Sequence, residues 1–275
     1  MIGFWSLTRA PRRTAATVLM LGTLLLMTAC QSMFLYHPST EREEVLLRTA
    51  ARYGLEPWPE AGSGRMGWQG PAADRPEARI LVMHGNAGHS LHRQYYARGF
   101  DSRFVVYLLE YPGYGSREGR PGEEAFIAAA AEAVERLLSE DSDQPIYVLG
   151  ESIGSGVATQ VAARYHDAVS GILLVTPFTN IAAVARVHYP RFLVNAILRD
   201  RFDNEAALAE YDGPVGFLLA GRDEVVSTEL GRALYESYDG PKRLWVQDEA
   251  GHNTLDFSAR STWWEEASEF LLGVR

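Results

Sequence analysis

A serine flanked by glycines is the first feature of this chain that indicates catalysis. Ser152 stands in the pentapeptide Gly-Glu-Ser-Ile-Gly, which follows the apolar run 146–149. Between a strand and a helix, such a pentapeptide forms a sharp turn that exposes the serine hydroxyl. The N-terminus of the following helix, which we expect near Ser155, favours the negative charge that develops during attack. The pattern predicts a nucleophilic serine at residue 152.

A serine nucleophile needs a base, and the base needs an acid that orients it. Asp223 follows the apolar run 215–220, and His252 follows the run 244–246. Each of these polar residues comes just after a predicted strand, and the chain order is Ser, Asp, His. We therefore expect Ser152, Asp223 and His252 to form a catalytic triad.

Two other acidic residues are alternatives for the orienting acid. Asp248 and Glu249 lie close to His252 in the sequence. Asp223 is preferred because it directly follows the end of a predicted strand, and the carboxyl ends of parallel strands are where active groups collect.

Acyl transfer also needs hydrogen-bond donors for the oxyanion that develops in the transition state. The run 80–83 leads into His-Gly-Asn-Ala-Gly at residues 84–88. A serine at such a turn takes one backbone N–H from an early loop and one from the residue after the serine. We assign these donors to Asn86 and Ile153, and we expect His84 to hold the loop in shape.

The histidines at positions 84, 89 and 92 are candidates for a metal site. Their spacing matches neither His-Glu-x-x-His nor a cysteine-assisted ligand set, and no acidic residue lies among them. We therefore expect no metal ligand in this group and no metal or organic cofactor in the reaction.

The elements that must position these residues can be read from the apolar pattern. Apolar runs alternate with segments of helical periodicity, and several runs are apolar without alternation, as in parallel strands buried on both faces. The runs are 80–83, 104–109, 146–149, 172–175, 215–220 and 244–246, with helices predicted at 123–138 and 262–272. This alternation predicts an open parallel α/β sheet.

Five motifs in order resemble the α/β-hydrolase superfamily. They are His-Gly-Asn-Ala-Gly at 84–88, Tyr-Pro-Gly-Tyr-Gly at 111–115, Gly-Glu-Ser-Ile-Gly-Ser-Gly at 150–156, Gly-Arg-Asp at 221–223 and Gly-His-Asn at 251–253. More narrowly, they resemble its membrane-tethered, small-cap members, which include the fungal bud-emergence hydrolases and animal protein depalmitoylases.

The resemblance implies a fold and an activity. The fold would be an α/β-hydrolase fold with a mostly parallel central sheet of about eight strands, flanking helices and a small helical cap. The activity would be hydrolysis of acyl esters or thioesters, with Ser152, Asp223 and His252 as the triad. Glu110 stands where relatives commonly have Asp, and no change of substrate is inferred from it.

The expected cap lies at about 176–214, between the strands 172–175 and 215–220. This segment mixes apolar and aromatic residues with four arginines, Arg186, Arg191, Arg199 and Arg201. A basic amphipathic surface suits contact with anionic lipid head groups. One hypothesis is that the cap forms the acyl pocket and faces such head groups. The alternative is an amphipathic cap whose arginines are simply solvated.

Composition excludes several classes of protein. The chain of 275 residues carries 26 Lys and Arg against 35 Asp and Glu, for a net charge of −9. An acidic body of this kind repels phosphate backbones, so a nucleic-acid partner is not expected. A single cysteine excludes a disulfide framework within the chain.

The N-terminus predicts an export signal. Arg9, Arg12 and Arg13 precede a charge-free, mostly apolar stretch at 14–29, and Cys30 follows directly. This order is typical of a secretory signal and resembles a bacterial lipoprotein signal, in which the cysteine is lipidated. We expect residues 1–29 to be the signal and residues 30–275 the hydrolase domain, held on a membrane of a bacterial cell envelope.

An uncleaved membrane anchor is the competing interpretation. The charge-free stretch continues to Thr40 and approaches the roughly 20 residues that a span needs, although Gln31, Ser32 and His37 weaken it. Both interpretations place the catalytic part outside the cytoplasm.

Two other functions stay open at this point. The same triad cleaves amides, so a peptidase or amidase is an alternative within enzymes. A non-catalytic surface lipoprotein that uses the fold for binding is the alternative outside enzymes. Such a protein could lose any member of the triad, yet the chain retains all three.

Overall fold

A sheet of eight strands lies at the centre of the protein in a computed structural model that describes residues 35–59 and 64–273. The predicted signal segment and Cys30 lie outside these described residues. Eight of the ten strands in the described residues form this sheet, and β1 and β5 form a separate pair. The ten strands are β1 His37–Pro38, β2 Glu56–Trp58, β3 Gly67–Gln69, β4 Ala78–Met83, β5 Ala87–Gly88, β6 Phe104–Leu109, β7 Ile146–Glu151, β8 Val169–Val175, β9 Val215–Ala220 and β10 Lys242–Gln247.

Helices connect and cover these strands. They are α1 Glu43–Arg52, α2 Gln94–Gly99, α3 Glu123–Glu140, α4 Ile153–Arg164, α5 Ile181–His188, α6 Arg191–Ile197, α7 Asn204–Leu208, α8 Thr228–Ser237 and α9 Trp263–Gly273, with a 3₁₀ helix at Ser90–Arg93. The two helices predicted from periodicity correspond to α3 and α9. Within the described ranges, no helix has the length and apolar character to cross a bilayer.

The strand order in the sheet is β10-β9-β8-β7-β4-β6-β3-β2. Neighbours from β10 to β6 run parallel, whereas β3 is antiparallel to both β6 and β2. The expected mostly parallel sheet of about eight strands is therefore confirmed. All six predicted apolar runs lie in its parallel strands, in β4, β6, β7, β8, β9 and β10.

Helices bury both faces of this sheet. Successive residues of β4 point to opposite faces: Leu81 packs in one apolar cluster with Phe126 of α3, and Val82 packs in the other with Trp264 of α9. Because both faces are covered, β4 is buried along its whole length. This burial explains why its sequence is continuously apolar rather than alternating.

Two glycines allow α4 to approach the sheet on one side and the cap segment on the other. A Cβ at Gly154 would collide with the carbonyl oxygen of Met83 in β4, and one at Gly156 would lie 2.6 Å from the ring of Phe202 in the cap segment. The close approach of α4 to β4 therefore requires a residue without a side chain at Gly154, and it fixes the start of α4 beside the end of β4.

The predicted cap segment lies between β8 and β9. It contains the helices α5, α6 and α7, and Asn180 caps the N-terminus of α5 because its side chain accepts a hydrogen bond from Ala183 N. The small helical cap that the resemblance implied is therefore present, built from short helices.

Residues 35–40, named here the N-terminal strap, join the body at the loop after β4. β1 pairs in parallel with β5, and Thr40 forms a bridge with Gly115. The charge-free stretch of the competing anchor interpretation includes these residues, which belong to the folded body.

Candidate active site

Ser152 occupies a strained turn between β7 and α4. Its φ and ψ are 54° and −120°, in a region that residues with a side chain rarely adopt and that is enriched at functional sites. Ser152 N donates to Val175 O at 2.8 Å, and Ser155 N donates to Ser152 O at 2.8 Å. The helix begins at Ile153, two residues before the predicted start, so the serine directly precedes its N-terminus.

The three residues predicted as a triad meet at the carboxyl ends of the strands. His252 Nε2 lies 3.1 Å from Ser152 Oγ, and His252 Nδ1 lies 2.7 Å from Asp223 Oδ2. The histidine side chain is 11% exposed and that of the aspartate 2% exposed. These distances are short enough for the serine hydroxyl to donate to Nε2 while Nδ1–H donates to the carboxylate.

The second oxygen of Asp223 is held by the loop after β9. Oδ1 accepts hydrogen bonds from Val225 N at 2.9 Å and Val226 N at 2.7 Å. The carboxylate is thereby fixed with Oδ2 facing His252. Glu249, an alternative acid in the sequence, instead forms an exposed ion pair with Arg222.

The two residues predicted to stabilise the oxyanion line one cavity with the serine. Asn86 and Ile153 both border the cavity that contains Ser152. Ile153 is the first residue of α4, and the first N–H groups of a helix have no partner within it. Their role as oxyanion donors stays a prediction.

His84 forms a buried pair with Glu110 at the start of residues 84–88, named here the oxyanion loop after the role predicted for Asn86. His84 Nδ1 lies 2.7 Å from Gly85 O and Nε2 lies 3.5 Å from Glu110 Oε1, while Ser90 donates to Glu110 through both N and Oγ. Burial raises the pKa of Glu110, but the contacts with His84 and Ser90 outweigh it and hold the pKa below its usual value. These contacts agree with the predicted role of His84 in shaping the loop.

The other two histidines of that segment stack on each other. The ring centroids of His89 and His92 are 3.9 Å apart, and burial lowers the pKa of both. Among residues 35–59 and 64–273, no group of three or more metal-ligating side chains is arranged to hold an ion.

Glu151, next to the serine, forms a buried ionic cluster that sequence reasoning missed. Its carboxylate accepts hydrogen bonds from Arg93, Tyr95 and Tyr96 at 2.8 to 3.0 Å, and Arg93 Nη1 also donates to Ala87 O. Burial raises the pKa of Glu151, but Arg93 and the tyrosine hydroxyls outweigh it and hold the pKa below its usual value. The cluster therefore ties the turn of the serine to the oxyanion loop.

A signal for this cluster exists in the sequence. An acidic residue at the end of an otherwise apolar buried strand needs an ionic partner. That rule predicts a partner for Glu151, but it cannot identify Arg93 among the 26 basic residues of the chain.

The serine opens into an apolar cavity of about 340 Å³ beneath the cap. Its walls come from the strap, the oxyanion loop, the start of α4, the cap and the loop after β9. The lining residues are Leu35, Asn86, Ser152, Ile153, Phe178, Ile181, Val184, Ala185, His188, Tyr189, Leu193, Val194, Ile197, Leu198, Val225 and Val226. No carboxylate belongs to this described lining, and most of its residues are apolar.

His188, for which the sequence offered no partner, connects the cap to the loop that holds the acid. Its Nε2 lies 3.0 Å from Val225 O, and Val225 N donates to Asp223. The cap and the triad are therefore joined through two successive hydrogen bonds.

Several known proteins are similar to this chain in sequence. A family model described as serine aminopeptidase, S33, matches residues 74–204. An uncharacterized protein of Mycobacterium tuberculosis is 35% identical over 191 residues, which cover 68% of this chain and 64% of that protein. The α/β hydrolase domain-containing protein WAV2 of Arabidopsis thaliana is 30% identical over 219 residues, 71% of each chain.

A lipase and an esterase are also similar. The lysophosphatidylserine lipase ABHD12 of Danio rerio is 29% identical over 206 residues, 65% of this chain and 52% of the lipase. The chain thus spans between about half and two thirds of the length of these first relatives. The solved Pyrococcus furiosus esterase Pf2001 has a TM-score of 0.61 at 16% identity, covering 87% of this chain and 97% of the esterase, and shares its fold.

Proposed function

Because the chain belongs to the α/β-hydrolase family, as its match to WAV2 over 71% of each chain shows, we propose that it is a serine hydrolase of carboxylic esters or thioesters with apolar acyl groups. One observation carries this proposal. Ser152 Oγ lies 3.1 Å from His252 Nε2, and His252 Nδ1 lies 2.7 Å from Asp223 Oδ2, while Ser152 also lines a mostly apolar cavity of about 340 Å³.

The proposed reaction proceeds through an acyl-enzyme. Ser152 Oγ attacks the carbonyl carbon while its proton passes to His252 Nε2, and Asp223 stabilises the imidazolium through Nδ1–H. The carbonyl oxygen becomes an oxyanion bound by the N–H groups of Asn86 and Ile153. His252 returns the proton to the leaving alcohol or thiol as the C–O or C–S bond breaks. A water, deprotonated by His252, then releases the carboxylic acid and restores the serine.

Aminopeptidase activity, which the description of the family model raises, is less well supported. An aminopeptidase must bind the cationic amine of its substrate, and a carboxylate is the usual partner for such a charge. The described lining of the cavity contains no Asp or Glu. An uncharged acyl chain fits these walls better than a peptide N-terminus.

The test of this proposal is hydrolysis of p-nitrophenyl esters from acetate to palmitate. We expect turnover that rises with chain length until the cavity is filled, and labelling of Ser152 by a fluorophosphonate. Ala185, on the cavity side of α5, allows a sharper test. Since each methylene excluded from an apolar pocket costs about 1–3 kcal/mol, Ala185→Phe is expected to lower kcat/KM about 10-fold or more for octanoate, with acetate unaffected.

Ala182→Phe is the matched control, because Ala182 lies on the same helix but does not line the cavity. We expect it to leave the chain-length profile unchanged. A wild-type chain that neither hydrolyses any ester of the series nor reacts with the fluorophosphonate contradicts the proposed function.

Tethering to a membrane is the second part of the proposal. Leu35, the first described residue, lines the cavity. Cys30 stands five positions before it, and a fully extended chain of that length reaches about 17 Å. If Cys30 carries a lipid, the cavity wall is held within that distance of the bilayer.

The surface around the cavity mouth suits this position. Five exposed apolar residues, named here the apolar collar, belong to the cap and to the loop after β9. They are Val187, Tyr189, Phe192, Leu193 and Val225, with Phe192 77% exposed. Exposed apolar patches rimmed by polar groups mark interaction sites. The exposed side chains of Arg186 and Arg191 stand beside the collar and complement anionic head groups.

Phe192→Ser tests this part in the full chain on anionic phosphatidylglycerol vesicles. Phe192 is exposed and does not line the cavity. Since burial of a Phe side chain contributes about 1.5–3 kcal/mol, we expect about a 10-fold lower rate on a long-chain ester within the vesicles. The rate on soluble p-nitrophenyl acetate should not change.

Leu47→Ser is the control, at an exposed apolar residue of α1 outside the collar. If the two variants behave alike on the vesicle substrate, the collar does not face the bilayer. Turnover of soluble esters would still support the hydrolase.

A further inference from the structure

The oxyanion loop is bound along its length by residues that precede the sheet. His37 N donates to Asn86 O at 2.9 Å, and Ser39 N donates to Gly88 O at 2.8 Å. In the opposite direction, Asn86 Nδ2 donates to Leu35 O at 3.1 Å. The N-terminal strap thus contacts the side chain and the carbonyl group of the residue predicted to bind the oxyanion.

The carbonyl oxygen of Asn86 has a second donor. Tyr114 Oη donates a hydrogen bond to this oxygen at 2.7 Å. Tyr114 belongs to the motif Tyr-Pro-Gly-Tyr-Gly at 111–115, which is part of the resemblance to the α/β hydrolases but supplies no residue of the predicted triad. The same motif also binds the strap, since Gly115 N donates to Ser39 O at 2.9 Å and Glu41 N to Gly115 O at 3.0 Å. Within the described residues, the backbone N–H of Asn86 is left without a partner, beside the cavity.

The strap is itself fixed at both of its ends. Tyr36 is buried, packs edge-on against Phe126 with ring centroids 5.1 Å apart, and donates its hydroxyl hydrogen bond to Asp200 after α6. The bridge between Thr40 and Gly115 fixes the other end. A segment held in this way can in turn hold the flexible peptide groups of a glycine-rich loop.

We propose that the N-terminal strap and Tyr114 are positioning elements of the oxyanion hole, acting through the Asn86 carbonyl. Two donors on that oxygen fix the peptide that follows Asn86, and the bond from its side chain to Leu35 fixes the residue from the other side. The N–H of Asn86 is thereby aimed at the cavity before substrate binds. The proposal rests on the proposed hydrolase function and assigns a role to residues outside the relay.

This role has a specific kinetic consequence. The oxyanion exists only in the transition state and the tetrahedral intermediate, so loosening its donor lowers kcat and leaves ground-state binding unchanged. Removal of one oxyanion donor costs about 10²–10³ in rate. A donor that is displaced rather than removed should cost less, and we expect about a 10-fold to 100-fold loss of kcat with KM unchanged.

The experiment compares His37→Pro with His37→Ala in the full chain. Both remove the exposed imidazole, but only proline removes the N–H that binds Asn86 O. His37 also precedes Pro38 and is already biased to the extended backbone that proline tolerates. The ratio of kcat between the two variants therefore measures how much the hydrogen bond from His37 N to Asn86 O contributes to kcat. Tyr114→Phe, which keeps the ring and removes the second donor, is expected to lower kcat in the same way.

A transition-state readout separates positioning from loss of structure. The hydroxyl of Ser152 adds to the carbonyl carbon of an alkyl trifluoromethyl ketone, its proton passes to His252, and the ketone oxygen becomes an oxyanion. In the His37→Pro and Tyr114→Phe variants, the inhibition constant of the trifluoromethyl ketone should rise by the same factor as kcat falls. The affinity of the unfluorinated methyl ketone should stay constant. Thermal unfolding midpoints identify any variant that loses the fold. If His37→Pro does so, the kcat and the ketone inhibition of Tyr114→Phe test the proposal.

Equal kcat values for His37→Pro and His37→Ala, with an unchanged kcat for Tyr114→Phe, overturn the proposal. A fall in kcat with no weakening of the trifluoromethyl ketone also overturns it. Failure of the hydrolase function itself is a different result, since the wild-type chain would then neither turn over esters nor bind the ketone covalently.

Discussion

Replacing Ser152 by alanine is expected to lower kcat on the best p-nitrophenyl ester about 10⁶-fold, as loss of a triad nucleophile does in other serine hydrolases. The hydroxyl oxygen lies 3.1 Å from His252 Nε2, which accepts its proton in the proposed reaction. Without it no acyl-enzyme can form, and only direct attack by water remains. Steady-state rates together with fluorophosphonate labelling measure this loss.

Ser155→Ala is the matched control for this substitution. Ser155 is buried on the same helix, and its hydroxyl lies 3.3 Å from Asn204 Nδ2 rather than near the relay. We expect this variant to label fully. Labelling or substantial turnover that persists in Ser152→Ala would remove Ser152 from the proposed mechanism.

Asp223→Asn is expected to lower kcat about 10⁴-fold with little change in KM. The amides of Val225 and Val226 donate to Oδ1, so the amide oxygen of asparagine must keep that position. Its NH₂ group then replaces Oδ2, 2.7 Å from His252 Nδ1. Two donors cannot face each other, so Nδ1 gives up its hydrogen, and Nε2 carries it and can no longer accept the serine proton.

The control for this prediction uses the acidic residue that the sequence left as an alternative. Asp248→Asn makes the same chemical change close to His252 in the sequence, and we expect near wild-type kcat. Equal losses of kcat in the two variants, or a greater loss for Asp248→Asn, would show that Asp223 is not the acid that orients His252. Steady-state kinetics on one soluble ester decides between them.

Most of the parallel part of the sheet could be predicted because its inner strands are buried on both faces, as β4, β6 and β9 are along their whole length. Each apolar run between turns lies in one strand of β4 and β6 to β10. β2 and β3 could not be predicted, because each is only three residues long and shows too little periodicity to distinguish a strand from a loop. They are strands because β6 offers them an edge, which is a property of the folded sheet.

The grouping of Ser152, Asp223 and His252 could be predicted for a different reason. Its residues follow strand ends in an order that the fold imposes, so each position has a local signal. The pairing of Arg93 with Glu151 has no such local signal, because Arg93 does not follow the end of a predicted strand and lies 58 positions from Glu151. The strap was harder still: residues 35–40 continue an apolar stretch, and their hydrogen bonds to the oxyanion loop come from backbone groups that every sequence possesses.

The attachment of the strap at both ends has a practical consequence for preparing this protein. A designer who trims the apolar leader to improve yield would naturally cut close to the first helix, α1, and would keep every residue of the relay. That shortened product would lose the wall supplied by Leu35 and the amides that support Asn86. A recombinant fragment intended for screening should therefore begin upstream of Leu35.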